Sequence, residues 1–238
     1  MFALTIIKTG STFPGIRQRS GDFEDWIIAG CGLSADVVAV VDVAAGATLP
    51  AAESLAAVII TGSPAMVTDQ AGWMQAVAAW LPQVLAQRIP LLGICFGHQL
   101  LAQAMAGQVA YHPQGREIGT VAVQLTAAGR ADLLLGCLPT TFLAHVTHAQ
   151  TVSALPAEAV CLAANAFEAT HAFRLGANAW GVQFHPEFSA AIMRAYIDEQ
   201  AGALRANAVD VTALQAAVAD TEAANALLAR FMAIVRNS

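Results

Sequence analysis

The stretch Pro90–Gly107, which reads Pro-Leu-Leu-Gly-Ile-Cys-Phe-Gly-His-Gln-Leu-Leu-Ala-Gln-Ala-Met-Ala-Gly, constrains this chain more than any other. Pro90–Ile94 is an apolar run of strand length. From Gly97 to Ala106 the apolar positions recur at helical spacing, and Gly107 closes the helix. A buried strand that passes into a helix within about two residues needs a sharp turn. Gly93 and Gly97 flank that turn because strand and helix approach closely on either side of it. The turn exposes Cys95 at the carboxyl end of a sheet, in strained backbone geometry. It also sets the sulfur at a helix N-terminus, where the dipole and free N–H groups favour a thiolate. The backbone N–H of Phe96 is aimed to receive an oxyanion. A structural buried thiol is the usual fate of a cysteine, but glycines at both −2 and +2 favour a nucleophile.

The rest of the first half alternates in the same way. Phe2–Lys8, Asp36–Val43 and Ala57–Thr61 read as strands, and Phe23–Cys31 and Trp73–Ala86 as helices. Such β–α alternation predicts a largely parallel sheet covered on both faces. Further on, Gly119–Leu125, Thr141–Val146, Val160–Ala164, Ala169–Arg174 and Ala179–Gln183 read as successive strands with few helices between, an antiparallel extension of the same sheet. From Ser189 the pattern is helical again. Ser189–Ala201 is one segment, and Asp210 or Thr212 caps a second that runs to about Val235. A single domain over residues 1–238 is expected, with the terminal helical pair (about 189–236) packed on it.

Two other strand ends carry chemistry. Trp180-Gly-Val-Gln-Phe-His-Pro-Glu-Phe188 ends in His185-Pro186-Glu187 just before a helix. Pro186 keeps His185 out of the helical region, so the imidazole is presented at the strand end. Glu187 can then hold one ring nitrogen while the other faces a thiol. Val58-Ile-Ile-Thr-Gly62-Ser-Pro64 ends in a glycine turn at the same expected edge, where a backbone N–H of Gly62 or Ser63 would be a second oxyanion donor. The segment Gly10–Asp25 carries Arg17, Arg19 and an acidic run. It reads as a surface loop, long enough to serve as a lid.

Composition excludes several classes. Hydrophobic residues make up 57% and charged residues 12%, which rules out disorder. Mean hydropathy is +0.57, yet the longest apolar runs are strand-length, far short of the roughly 20 residues of a membrane span. A net charge of −6 with no basic cluster argues against nucleic acid and anionic lipid as partners. The four scattered cysteines form no metal spacing and no disulfide framework, so no metal or other cofactor is expected. The N-terminus reads as a strand with no leader pattern, which predicts a cytoplasmic protein.

The combination of GICFGHQL, FHPE and TGSP, over about Ala57–Phe188, resembles the class I glutamine amidotransferases, the Cys-His-Glu enzymes that hydrolyse the side-chain amide of glutamine. It is most similar to the glutaminase domain of GMP synthase and to stand-alone proteins like it. The resemblance implies a three-layer α/β/α sandwich of flavodoxin-like type. It implies Cys95 as nucleophile, His185 as base and acid, Glu187 as its orienter, and Gly62 and Phe96 as oxyanion donors. Gln99 would help hold the glutamine backbone, the loop Gly115–Gly119 would approach the substrate, and His148 is a further substrate-binding candidate. Where those domains carry Ser-His-Gly-Asp, this chain reads Thr147-His148-Ala149-Gln150. The residues after Glu187, about fifty, read as Ala-rich helices rather than a synthetase domain. A separate synthetase subunit is then the expected ammonia acceptor. A hydrolase of γ-glutamyl peptides or conjugates stays open, as does a non-catalytic regulatory subunit.

Overall fold

The computed structural model describes residues 3–237; Phe2, the expected first residue of the N-terminal strand, lies outside them. The strands are β1 (Leu4–Lys8), β2 (Val38–Asp42), β3 (Val58–Ile60), β4 (Leu91–Ile94), β5 (Gln108–Tyr111) and β6 (Glu117–Leu125). They continue with β7 (Thr141–His148), β8 (Gln150–Ala154), β9 (Val160–Ala164), β10 (Ala172–Leu175) and β11 (Ala179–Val182). Nine of them form one sheet in the order β2-β1-β3-β4-β11-β10-β9-β6-β7. The first five in that order pair in parallel, and the rest pair antiparallel. This is the expected parallel sheet with an antiparallel extension. The separate ribbon of β5 and β8 was not expected. Its strands are short, and β5 is largely exposed, so neither carries a strong apolar signal.

The helices are α1 (Pro14–Ser20), α2 (Phe23–Gly30), α3 (Gly72–Ala86), α4 (Phe96–Ala104), α5 (Ala127–Arg130), α6 (Ala190–Ala206), α7 (Val211–Ala216) and α8 (Glu222–Val235). Strand alternation sends successive side chains to opposite faces. Leu4, Ile6, Ile59, Leu92 and Ile94 point to one face, where they meet Ile27 of α2 and Leu227, Leu228 and Phe231 of α8. Ile7, Val58, Ile60 and Leu91 point to the other, against Val77, Trp80 and Leu81 of α3 and Leu100 and Leu101 of α4. The result is a three-layer α/β/α sandwich. A third apolar cluster joins α1, α2, α6 and α7 through Ile16, Phe23, Tyr196 and Val211. Among the described residues no helix is long and apolar enough to cross a membrane.

Two expectations need correction. The segment Gly10–Asp25 is not a surface loop. Pro14 opens α1, and buried Asp22 caps α2 in a capping box with Asp25. Asp22 also pairs with the Lys8 ammonium at 2.8 Å. Burial alone would raise the Asp22 carboxyl's pKa, but Lys8 and the backbone N–H groups of Thr12 and Phe23 hold it below the ordinary value. The terminal helix also breaks where continuity was expected. Asp210 does cap α7, accepting from the Ala213 N–H, but the chain between α7 and α8 is drawn off by tertiary partners. Arg194 donates to the Val218 carbonyl at 2.8 Å, and the Ala219 N–H donates to Thr120 Oγ1.

Because β1, β3, β4 and β11 run parallel, their carboxyl ends share one edge. The chain leaves that edge at Thr61-Gly62, at Cys95 and at Gln183–His185. Close packing fixes the middle exit. A Cβ on Gly93 would lie 2.5 Å from the backbone of Gly97, and one on Gly97 would lie 2.6 Å from the Ile60 carbonyl oxygen. Gly93→Ala and Gly97→Ala are each expected to cost about 1–3 kcal/mol, the usual range for overpacking. Gly202→Ala, on an open helical site, should stabilise by about 0.5–1 kcal/mol. Urea unfolding of the three variants checks both signs.

Candidate active site

Cys95 sits at the N-cap of α4 with φ 51° and ψ −99°, a left-handed conformation that costs a non-glycine residue about 1–3 kcal/mol. Its N–H donates to the Val182 carbonyl at 2.8 Å, which ties the turn to the end of β11. Phe96 is the first residue of α4, and a helix's first N–H groups have no acceptor within the helix. The Gln183 side-chain amide donates to the Cys95 sulfur at 3.5 Å. Gln99, one turn into α4, donates to Gln183 Oε1 at 2.9 Å and to the Gln150 carbonyl at 2.8 Å.

His185 stands three residues beyond β11, its own N–H donating to the His145 carbonyl. Glu187 Oε1 lies 2.7 Å from Nδ1 of His185, while Nε2 is buried with no hydrogen-bond partner among the described residues. Phe188 stacks on the ring with centroids 4.1 Å apart. Burial alone would pull the imidazole pKa down. The Glu187 carboxylate and the neighbouring Cys95 outweigh it and raise the value to about 10. A Cβ placed on Gly62 would meet Cε1 of His185 at 3.0 Å, so the Gly62 turn abuts the imidazole. Thr9 Oγ1 donates to the Thr61 carbonyl at 3.1 Å. In a trans peptide the Gly62 N–H therefore points away from Thr9.

These groups open into a cavity of about 430 Å³. Its wall includes Cys95, Phe96, Gln99 and His185, with Ser63–Met66 from the β3 turn, Ser11–Pro14 and Phe23 from the N-terminal segment, Thr147–Gln150, and Tyr196 and Gln200 of α6.

The geometry has counterparts among known proteins. Residues 28–200 match the family model described as Glutamine amidotransferase class-I. The chain belongs to the class I glutamine amidotransferases. It is 35% identical over 144 residues to a glutamine-hydrolyzing GMP synthase of Aeropyrum pernix, covering 60% of this chain and 26% of that protein. It is 31% identical over 160 residues to one of Porphyromonas gingivalis, covering 66% and 28%. The chain thus spans about a quarter of the length of the curated relatives it matches. A solved glutamine amidotransferase from Methylobacillus flagellatus superposes with a TM-score of 0.79 at 25% identity, covering 98% of this chain and 94% of that one. One from Thermotoga maritima gives 0.78 at 20% identity over the full length of both.

Within this family frame the residues singled out from sequence separate into two groups. Cys95, His185, Glu187, Gly62 and Phe96 converge on one corner. Gln99 lines the cavity, but its N–H groups are spent on Gln150 and Gln183. His148 also reaches the wall, yet Nδ1 lies 2.9 Å from the Gln150 carbonyl and Nε2 3.0 Å from Glu117 Oε2, so both ring nitrogens have protein partners. His145 is buried; burial and the nearby charge of His185 lower its pKa to about 4. Gly119 lies not in a loop, as expected, but within β6, paired with Val146, with φ 116° and abutting Leu214 of α7; of the segment Gly115–Gly119, Arg116 lines the cavity. Sequence reading missed Gln183, Arg116, Thr12 and Tyr196. Gln183 had a signal, since a polar side chain at the end of a buried strand needs a partner. Thr12 and Tyr196, 2.7 Å apart and 184 positions distant in the chain, had none.

The raised His185 pKa couples to folding. A raised native pKa adds stability that is complete below the unfolded value near 6.5 and is lost as pH rises toward about 10. Wild-type stability, followed by urea unfolding, should therefore decline across that window. In Glu187→Gln the decline should shrink, because the principal anion holding the imidazolium is gone.

Proposed function

We propose that this protein hydrolyses the side-chain amide of glutamine-type substrates through a thioester on Cys95. The observation that carries the reading is the His185 arrangement. Nδ1 is fixed by Glu187, Nε2 is unpartnered, and the ring lies beside a sulfur held at a strained strand-to-helix turn.

The Cys95 thiolate attacks the carboxamide carbon, and the new oxyanion is received by the backbone N–H groups of Gly62 and Phe96. Collapse breaks the C–N bond. The His185 imidazolium gives its Nε2 proton to the departing nitrogen, releasing ammonia and leaving an acyl thioester. A water molecule then loses a proton to the now neutral Nε2 and attacks the thioester carbon. The C–S bond breaks, the carboxylic acid leaves, and the Cys95 thiolate is restored beside the His185 imidazolium. Glu187 keeps the ring oriented in both halves, and Phe188, stacked on its face, favours the cationic form.

The GMP synthase relatives support glutamine as donor and a synthetase as a candidate ammonia acceptor. The intact Cys95, His185 and Glu187 set favours a catalytic chain over a purely regulatory one.

Cys95→Ala should lower amide turnover by about a thousandfold or more, the scale seen when a triad nucleophile is removed, with the fold retained by circular dichroism. Ammonia release measured on purified protein checks it. Turnover unchanged in Cys95→Ala would remove the assignment.

A further inference from the structure

Gln183 follows β11 directly, and nothing of it reaches solvent. A glutamine buried to this degree needs partners for both ends of its amide. Its backbone N–H donates to the His171 carbonyl at 2.8 Å, and its side chain runs to α4, where it meets Gln99 and Cys95.

The direction of that amide follows from its neighbours. Gln99 faces the Gln150 carbonyl oxygen at 2.8 Å, an atom that can only accept, so the group presented there is the Gln99 NH2. The same NH2 donates to Gln183 at 2.9 Å, and the atom that receives it is therefore Oε1. That leaves the Gln183 NH2 facing the Cys95 sulfur at 3.5 Å. Turning either amide over would set two acceptors against each other. Cys95, Gln99 and His185 line the cavity, whereas Gln183 does not. It reaches the sulfur from the protein side, away from a bound substrate.

An N–H donated to sulfur is held most strongly when the sulfur is an anion. In the first half of the reaction the sulfur spends its charge on the new C–S bond, so this hydrogen bond weakens toward the transition state. In the second half water bonds to the thioester carbon, its proton passes to Nε2 of His185, and the C–S electron pair returns to sulfur. Negative charge then grows on the atom that the Gln183 amide faces. An interaction that strengthens toward the transition state accelerates the step.

Resting on the hydrolase reading above, we propose that Gln183 is a further catalytic residue, whose amide, locked in direction by Gln99 and Gln150, receives the thiolate that leaves when the Cys95 acyl-enzyme is hydrolysed. It acts on deacylation rather than on acylation or substrate binding.

The test is rapid-quench intact-mass spectrometry of wild type, Gln183→Met and Gln183→Leu, with glutamine and γ-glutamyl-p-nitroanilide as donors of one and the same acyl group. Neither replacement can donate to the sulfur. Decay of the Cys95 adduct should slow about tenfold in both variants, the scale of one hydrogen bond to a charged group, and to the same extent from either donor. Formation of the adduct should change much less. The adduct then accumulates, and kcat and KM fall together while kcat/KM holds, a split that a general loosening of the site would not give. Equal slowing of formation and decay, unchanged decay, or loss of the fold in both variants by circular dichroism overturns the proposal and leaves amide hydrolysis standing. If wild type forms no adduct and releases neither ammonia nor p-nitroaniline, the hydrolase reading falls and this proposal with it.

Discussion

Gly93 packs against the backbone of Gly97, and Gly97 against the Ile60 carbonyl, so closely that neither has room for a methyl group, and the path of the chain through Cys95 depends on it. Strand β4 and helix α4 come so close that the residue between them is forced into left-handed geometry, at a cost of about 1–3 kcal/mol. The surrounding sheet meets that cost. Cys95 donates to Val182 across the β4–β11 pair, and residues 96–102 are buried throughout. With β4 fixed between β3 and β11 in parallel register, the Gly62 turn and His185 arrive at the same edge without further device. The site is thus a consequence of strand order.

Two buried charge systems sit at this edge and do different things. His185 and Glu187 form a pair whose outer nitrogen is unpartnered. A second group gathers on Glu117, with His148 at 3.0 Å, His171 at 3.4 Å and Asn165 at 2.7 Å. Burial would raise the Glu117 carboxyl's pKa, yet the hydrogen bonds from His148 and His171 hold it far below the ordinary carboxylate value. Buried ion pairs contribute little net stability, but removing one member leaves an uncompensated charge, which costs about 3–5 kcal/mol. Glu117 therefore acts as a support for the cavity wall, holding His148 with both ring nitrogens occupied.

Much of this was legible in the sequence because the informative features are local. Gly93, Cys95 and Gly97 report a turn by their spacing. His185-Pro186-Glu187 reports a strand end, because proline restricts its neighbour. The sheet's parallel half followed from apolar runs separated by helical ones. What was not legible depends on long-range partners. The break between α7 and α8 is made by Arg194 and Thr120, so the Ala-rich sequence from Asp210 to Val235 gives little sign of it. Helix α1 is short, and its buried face, Ile16, is read only against α6 and Phe188. The hydrogen bonds that occupy the Gln99 amide and the His148 ring run to Gln150, Gln183 and Glu117, far from them or on other strands. Arg116 escaped notice because an isolated arginine between strands is ordinary until the fold brings it to the cavity wall.

The central claim is a covalent acyl intermediate on Cys95, and the most direct measurement is acid-quenched intact-mass spectrometry of the enzyme during turnover of glutamine, followed by peptide mapping. The account predicts one acyl group per chain, located on the peptide that contains Cys95, released by hydroxylamine and absent in Cys95→Ala. Turnover without any adduct, or an adduct on Cys31, Cys137 or Cys161 in place of Cys95, would contradict it.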